Sequence, residues 1–103
     1  MITVVILGAG NVGTHLCKAI HASEGIKLVQ WYNRSKINST SHMTAVEQCN
    51  NLSKLATADV YIMAVSDNHV ESLSNQLPFE NRLVVHTSGS VPMRHLNKKN
   101  IYN

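Results

Sequence analysis

The sequence predicts an α/β domain: a doubly wound parallel sheet in three layers (α/β/α), with strand order 3-2-1-4-5. Three observations carry that prediction. Apolar runs of strand length alternate with helical patterns along the 103 residues, which is the sequence form of a parallel sheet with right-handed crossovers. The run Val60-Tyr61-Ile62-Met63-Ala64-Val65 is apolar without alternation, as in a strand covered on both faces. The stretch Ile2 to Gly13 reads strand, tight turn, helix, with glycines at Gly8, Gly10 and Gly13.

The first strand is that opening run, interrupted by Thr3. A helix is expected from Asn11 to Ser23, with Val12, Leu16, Ala19 and Ile20 at helical spacing toward the sheet and His15, Lys18 and His21 toward water. Gly25 suits its C-terminal stop. The second strand is expected over Ile26 to Tyr32, with Ile26, Leu28, Val29 and Trp31 as its apolar members. Residues 36–51 are polar and poorly patterned; Ala45 and Val46 fit a short helix, and Gln48 to Asn50 a brief edge strand. Leu52 to Ala56 reads as one helical turn. After the Val60 run, Ser66-Asp67-Asn68 supplies a turn and a helix N-cap. Val70, Leu73 and Leu77 continue a helical stripe that Pro78 ends. Arg82 to Thr87 is the next strand. Pro92 starts a short helix through Leu96, and the last residues read as the approach to another element.

Composition narrows the function. The chain is long enough for one domain and hardly for two. Its formal net charge is +3, but the basic residues are scattered and Lys98-Lys99 is the only adjacent pair. No aromatic residues interleave with them, so no nucleic-acid partner is expected. No run approaches a membrane span, and none is expected to meet a membrane. The two cysteines, Cys17 and Cys49, make no Cys-x-x-Cys pair, and read as reduced thiols in a cytoplasmic protein. The six histidines lack metal-ligand spacing, so no metal is expected.

In doubly wound sheets the ligand lies beyond the carboxyl ends of the strands. Here those ends are Gly8 to Val12, Asn33 to Ser35, Ser66 to Asn68 and Thr87 to Ser90, all built from small or polar residues. The first is a dinucleotide turn by its chemistry. Gly8 allows the sharp turn, Gly10 admits a pyrophosphate to the backbone, and Gly13 lets helix and strand pack closely, with Ala9, Asn11 and Val12 between them. The helix N-terminus then favours phosphate. Asn33 falls twenty residues after Gly13, where an NAD site commonly places an acid on the ribose. This chain has Asn33, Arg34 and Ser35 instead. A guanidinium grips a 2′-phosphate bidentately and stacks on adenine, so the expected cofactor is NADP. Ser66 and Asp67 are candidates for the ribose on the nicotinamide side. His86 and Ser88 lie where a nicotinamide ring would sit, His86 as a candidate acid or base. Each of these also fits a structural role, as a helix cap, a strand-end histidine or a turn.

Taken in order, Gly8-Ala9-Gly10-Asn11-Val12-Gly13, Asn33-Arg34-Ser35, Ala58 to Asp67 and His86-Thr87-Ser88-Gly89-Ser90 resemble the Rossmann-like NADP oxidoreductases related to pyrroline-5-carboxylate reductase and 3-hydroxyisobutyrate dehydrogenase. The histidine-bearing stretch is most similar to a branch with a helical C-terminal domain of unknown function. The resemblance implies NADP binding by Gly8, Gly10, Asn11, Val12, Gly13, Asn33, Arg34 and Ser35, and cofactor-side positions at Ser66 and Asp67. It also implies a C-terminal domain for substrate and dimerisation, absent from these 103 residues. Catalytic residues therefore cannot be assigned, and the isolated chain is expected to be inactive. Apolar surface left for the second domain would favour a homo-oligomer.

The expectation is the NADP(H)-binding domain of an oxidoreductase that transfers hydride to or from a small carbonyl, imine or alcohol. Its rivals are a non-catalytic dinucleotide sensor or interaction module, and a methyltransferase. The missing acid after the second strand counts against the methyltransferase.

Overall fold

The computed structural model describes residues 1–8, 10–34, 47–79, 82–87 and 101–102. Its elements run β1 (Ile2–Leu7), α1 (Asn11–His21), β2 (Ile26–Tyr32), β3 (Glu47–Cys49), a single 3-10 turn (Leu52–Lys54), β4 (Val60–Met63), α2 (Asp67–Gln76), β5 (Leu83–His86) and β6 (Ile101–Tyr102). All neighbouring strands pair in parallel. The order is β3-β2-β1-β4-β5-β6, the expected 3-2-1-4-5 with one strand added. The closing residues are thus an edge strand beside Leu83 and Val84, where the sequence suggested only an approach to a further element. The expected helices at Ala45–Val46 and at Pro92–Leu96, and the Ser88-Gly89-Ser90 turn, lie outside the described residues.

The alternation of β1 builds two cores. Val4 and Ile6 join Cys17, Leu28 and Trp31 on one face. Val5 and Leu7 join Tyr32, Tyr61, Met63, Val84, the α2 residues Val70 and Leu73, and Leu77 just past that helix on the other. Successive strand side chains point to opposite faces, and both faces here are covered by apolar groups. Between Val4 and Val5 the register slips, so that Val4 faces Leu28 and Val5 faces Gln30. Val29 is the extra residue of this irregularity.

Helix α1 departs from expectation on its buried face. Cys17 is fully buried and Leu16 and Ile20 are partly so, whereas Ala19 is exposed and Val12 is 51% exposed. Gly13 is buried in their place, and the inner face is Gly13, Leu16, Cys17 and Ile20. The helix also stops at His21 rather than Ser23. Its last turn tightens when the Ser23 N–H reaches the Ile20 carbonyl at 3.1 Å and the Ser23 hydroxyl donates to the Ala19 carbonyl at 2.7 Å. Gly25 follows with φ +81°, a conformation that favours glycine.

Three polar clamps fasten this apolar frame, one inside it and two nearer its surface. Gln30 is fully buried, and its amide acts as a piece of backbone: Nε2 donates to the Lys54 carbonyl at 3.0 Å and Oε1 accepts from the Ala56 N–H at 2.8 Å. Asp59 Oδ2 accepts from the Thr3 N–H and hydroxyl at 2.9 and 3.0 Å, fastening the start of β4 to β1. These bonds hold the Asp59 carboxyl below its ordinary range. The Tyr61 hydroxyl donates to the Ala56 carbonyl at 2.6 Å and accepts from the Arg82 guanidinium. That guanidinium also lies 4.7 Å from the Phe79 ring centre.

Candidate functional site

The site is built where β1 and β4 end side by side. The Gly8 N–H donates to the Tyr32 carbonyl at 2.7 Å and the Ala64 N–H to the Leu7 carbonyl at 2.8 Å. The turn between these bonds has no room for side chains at two of its glycines. Gly8 has φ +119°, and a Cβ there would stand 2.4 Å from the Ala64 carbonyl oxygen. A Cβ on Gly13 would stand 2.3 Å from the Gly8 carbonyl oxygen. That same oxygen accepts from Trp31 Nε1 at 2.8 Å, so the Gly8 carbonyl is turned inward and occupied. Gly10 differs: nothing lies within 4 Å of where its Cβ would be. It occupies the N-cap of α1, where no side-chain cap hydrogen bond is made among the described residues, and the first turn carries no acid. The helix end is left open to a negative group.

Gly8 and Gly10 form one edge of a cleft of about 280 Å³. Tyr32, Asn33 and Arg34 line it from the end of β2, and Ala64, Val65 and Ser66 from the end of β4. Arg34 is exposed, while Tyr32 is buried. Burial pushes the Tyr32 phenol above its ordinary range, Cys49 adds to this, and the Arg34 charge works the other way. Asn33 is fixed by its N–H on the Cys49 carbonyl at 3.0 Å. Among the described side chains that line the cleft, none is a carboxylate. Arg34 brings a positive charge to this lining and, with the open end of α1, suits an anionic ligand.

The far wall is α2. His69, Ser72, Leu73 and Gln76 face the cleft along one side of that helix. The sequence reading missed all four, along with Tyr32. Their spacing, following directly on the strand end at Ser66, is the available signal; the core stripe read from the sequence is Val70, Leu73 and Leu77, of which only Leu73 belongs to this wall. Ser66 takes the N-cap position as expected, but its hydroxyl makes no cap bond. It pairs instead with His69 Nδ1 at 2.6 Å.

Of the expected site residues, the structure brings Gly8, Gly10, Asn33, Arg34 and Ser66 to one cleft. Gly13 lies beneath the turn and acts through packing. Val12 stands exposed beside it. His86 ends β5 half-buried, away from the cleft lining, with Nδ1 buried and without a hydrogen-bond partner among the described residues. Ala9, Ser35 and Ser88 lie outside the described residues, as do the side chains of Asn11 and Asp67. Among the described residues no cluster of metal-ligating side chains occurs, and no helix is long and apolar enough to cross a membrane. Cys17 and Cys49 are both free thiols, and burial pushes the Cys17 thiol up to about 12.

A parallel sheet in this order, with a glycine turn opening a helix at the switch point, defines a Rossmann-like nucleotide-binding domain. The chain belongs to the family described as NADP oxidoreductase, coenzyme F420-dependent, whose sequence profile matches residues 3–89. None of the curated proteins compared with it by sequence is a significant match. Two solved structures share its fold. One is RSP, a Rex-family repressor, at TM-score 0.66 and 12% identity, covering 100% of this chain. The other is a D-isomer specific 2-hydroxyacid dehydrogenase family protein from Klebsiella pneumoniae 342, at TM-score 0.54 and 14% identity, covering 93%. The chain spans 52% of the repressor chain and 31% of the dehydrogenase chain.

Proposed function

We propose that this domain binds NADP(H) and serves hydride transfer between the nicotinamide and a small carbonyl, imine or alcohol. The observation that carries the reading is Arg34. It lies at the end of β2, in the cleft that Gly10 opens, directly after Asn33, which holds the position where an acid would select NAD. A guanidinium there receives a 2′-phosphate and stacks on adenine. The family description, which names NADP and oxidoreductase chemistry, supports the same cofactor. The pyrophosphate would lie over Gly10 and the open end of α1, with Asn33 and Ser35 beside the 2′-phosphate and Ser66 toward the other ribose. Asn11, Val12 and Asp67 complete the cofactor side. The cofactor supplies the hydride; the chain supplies position and charge.

Substrate groups come from a partner domain, and the reading assigns none to these residues. It places the protein in the cytoplasm, where free thiols stay reduced. Val12 is an exposed apolar residue of α1, surface of the kind that such a partner domain or a second copy would cover. A second reading has one observation in its favour, the fold shared with a Rex-family repressor along the whole chain: the cleft would then report the redox state of a dinucleotide to a partner.

Calorimetric titration with NADPH and NADH tests the cofactor. The reading expects NADPH to bind more tightly. Binding of neither, or a preference for NADH, overturns it.

A further inference from the structure

The α2 wall of the cleft carries a hydrogen-bonding pattern with a definite polarity. Gln76 Nε2 donates to Ser72 Oγ at 3.1 Å, and both residues line the cleft while standing exposed on the helix. That bond orients the Gln76 amide, taking one of its two N–H groups and leaving Oε1 as an acceptor. It also leaves the Ser72 hydroxyl hydrogen uncommitted among the described residues. The pair therefore offers one acceptor and one donor side by side, a single helical turn apart. Across the cleft stands Arg34, whose planar guanidinium is a platform for an aromatic base. Leu73, between the two polar residues in sequence, gives the wall an apolar strip.

We infer that Ser72 and Gln76 read the edge of the purine base and make the site specific for adenine. This rests on the NADP(H) reading above. Adenine presents a 6-amino donor beside the N1 acceptor, which complements an acceptor from Gln76 and a donor from Ser72. A hypoxanthine or guanine base presents the inverse, a 6-oxo acceptor beside an N1–H donor. In that case Gln76 Oε1 faces an oxygen, while the Ser72 hydroxyl turns to accept from the N1–H with its second lone pair, so the mismatch falls on Gln76. Discrimination comes from unmatched polar groups rather than from size. Ser66 and His69 lie one turn nearer the helix N-terminus, with His69 Nδ1 already engaged by Ser66. They are thereby placed for the ribose rather than the base.

The test compares NADPH with its reduced hypoxanthine analogue, nicotinamide hypoxanthine dinucleotide phosphate, by calorimetry on the full-length protein. The two probes share every charge, so their affinity ratio isolates the base. One matched against one mismatched hydrogen bond at a partly open site gives a ratio of about five to ten in favour of NADPH. Gln76→Ala should bring the ratio toward one, whereas Ser72→Ala, which removes a hydroxyl able to pair with either base, should weaken both probes alike. Gln76→Lys, which replaces the acceptor by a donor, should reverse it. Both residues are exposed, so these variants keep the core intact. Equal binding of the two probes to the unmodified protein overturns the inference, as does a ratio unchanged in Gln76→Ala. If NADPH itself fails to bind, the cofactor reading fails and takes the base reading with it, an outcome distinct from tight binding without discrimination.

Discussion

Glycine to alanine inside a helix ordinarily stabilises by about 1 kcal/mol, because alanine loses less entropy on folding. Gly13, in the first turns of α1, should do the opposite. Its added methyl would meet the Gly8 carbonyl oxygen at 2.3 Å and the carbonyl carbon at 2.9 Å. Both are backbone atoms, and the oxygen is already held by Trp31 Nε1 at 2.8 Å, so the obstacle cannot rotate away. Overpacking of this kind costs about 1–3 kcal/mol, and a contact against fixed backbone belongs at the upper end. Subtracting the helical gain leaves about 2 kcal/mol of net destabilisation, which lowers Tm by roughly 8–16 °C in a domain of this size. Gly10→Ala is the control. Its φ of −75° suits any residue and its surroundings are empty, so only the weaker N-cap preference of alanine counts, about 0.5 kcal/mol, and Tm should fall by just roughly 2–4 °C. NADPH affinity should nevertheless fall about tenfold, or about 1.4 kcal/mol, as the methyl enters the phosphate path. Thermal unfolding followed by circular dichroism decides the matter. A Gly13→Ala protein as stable as its parent would refute the packing argument.

Gln30→Ala strips the partners from the Lys54 carbonyl and the Ala56 N–H and leaves a void. Urea unfolding should show a loss of about 3 kcal/mol, and an unchanged midpoint would mean the clamp contributes nothing. Trp31→Phe removes the donor to the Gly8 carbonyl and should cost about 1–3 kcal/mol by the same measurement. Asp59 carries a pH signature. Its folded pKa is depressed by Thr3, so its contribution is fully present above the ordinary aspartate range. That contribution is lost as pH falls through the folded value. In Asp59→Ala the acid limb of the stability–pH curve should be shallower; identical limbs would remove Thr3–Asp59 from the account.

The parts of the fold legible in sequence are those set by neighbours along the chain. The limits of β2 follow from Gly25 before it and the polar Asn33-Arg34 after it. The glycine turn follows from three backbone requirements that only spacing need satisfy. What stayed hidden depends on contacts made far along the chain. Gln30 looks like a surface residue within a strand, and only the arrival of residues 54–56 gives its amide partners. Thr3 looks like an interruption of an apolar run until Asp59, fifty-six positions later, takes both its N–H and its hydroxyl. Val12 was expected inward because it is apolar and in phase. The close approach of Gly13 to Gly8 rotates the inner face of α1 away from it. The α2 wall was missed for a related reason. A helix pattern separates apolar from polar sides, but topology alone decides that part of the polar side borders a ligand cleft instead of bulk water. His69, Ser72 and Gln76 are readable as such only once β2 and α2 are known to flank the same space.

The central claim is that Arg34 turns a dinucleotide cleft into an NADP site. The most direct measurement is the affinity of the protein and of Arg34→Ala for NADPH and NADH under identical salt. A charge-assisted bidentate contact to a phosphate is worth about 1.5–3 kcal/mol. The account predicts that Arg34→Ala weakens NADPH by roughly ten- to a hundredfold while weakening NADH far less, so that the preference between them collapses. Equal loss for the two cofactors, or an intact preference for NADPH in Arg34→Ala, would contradict it.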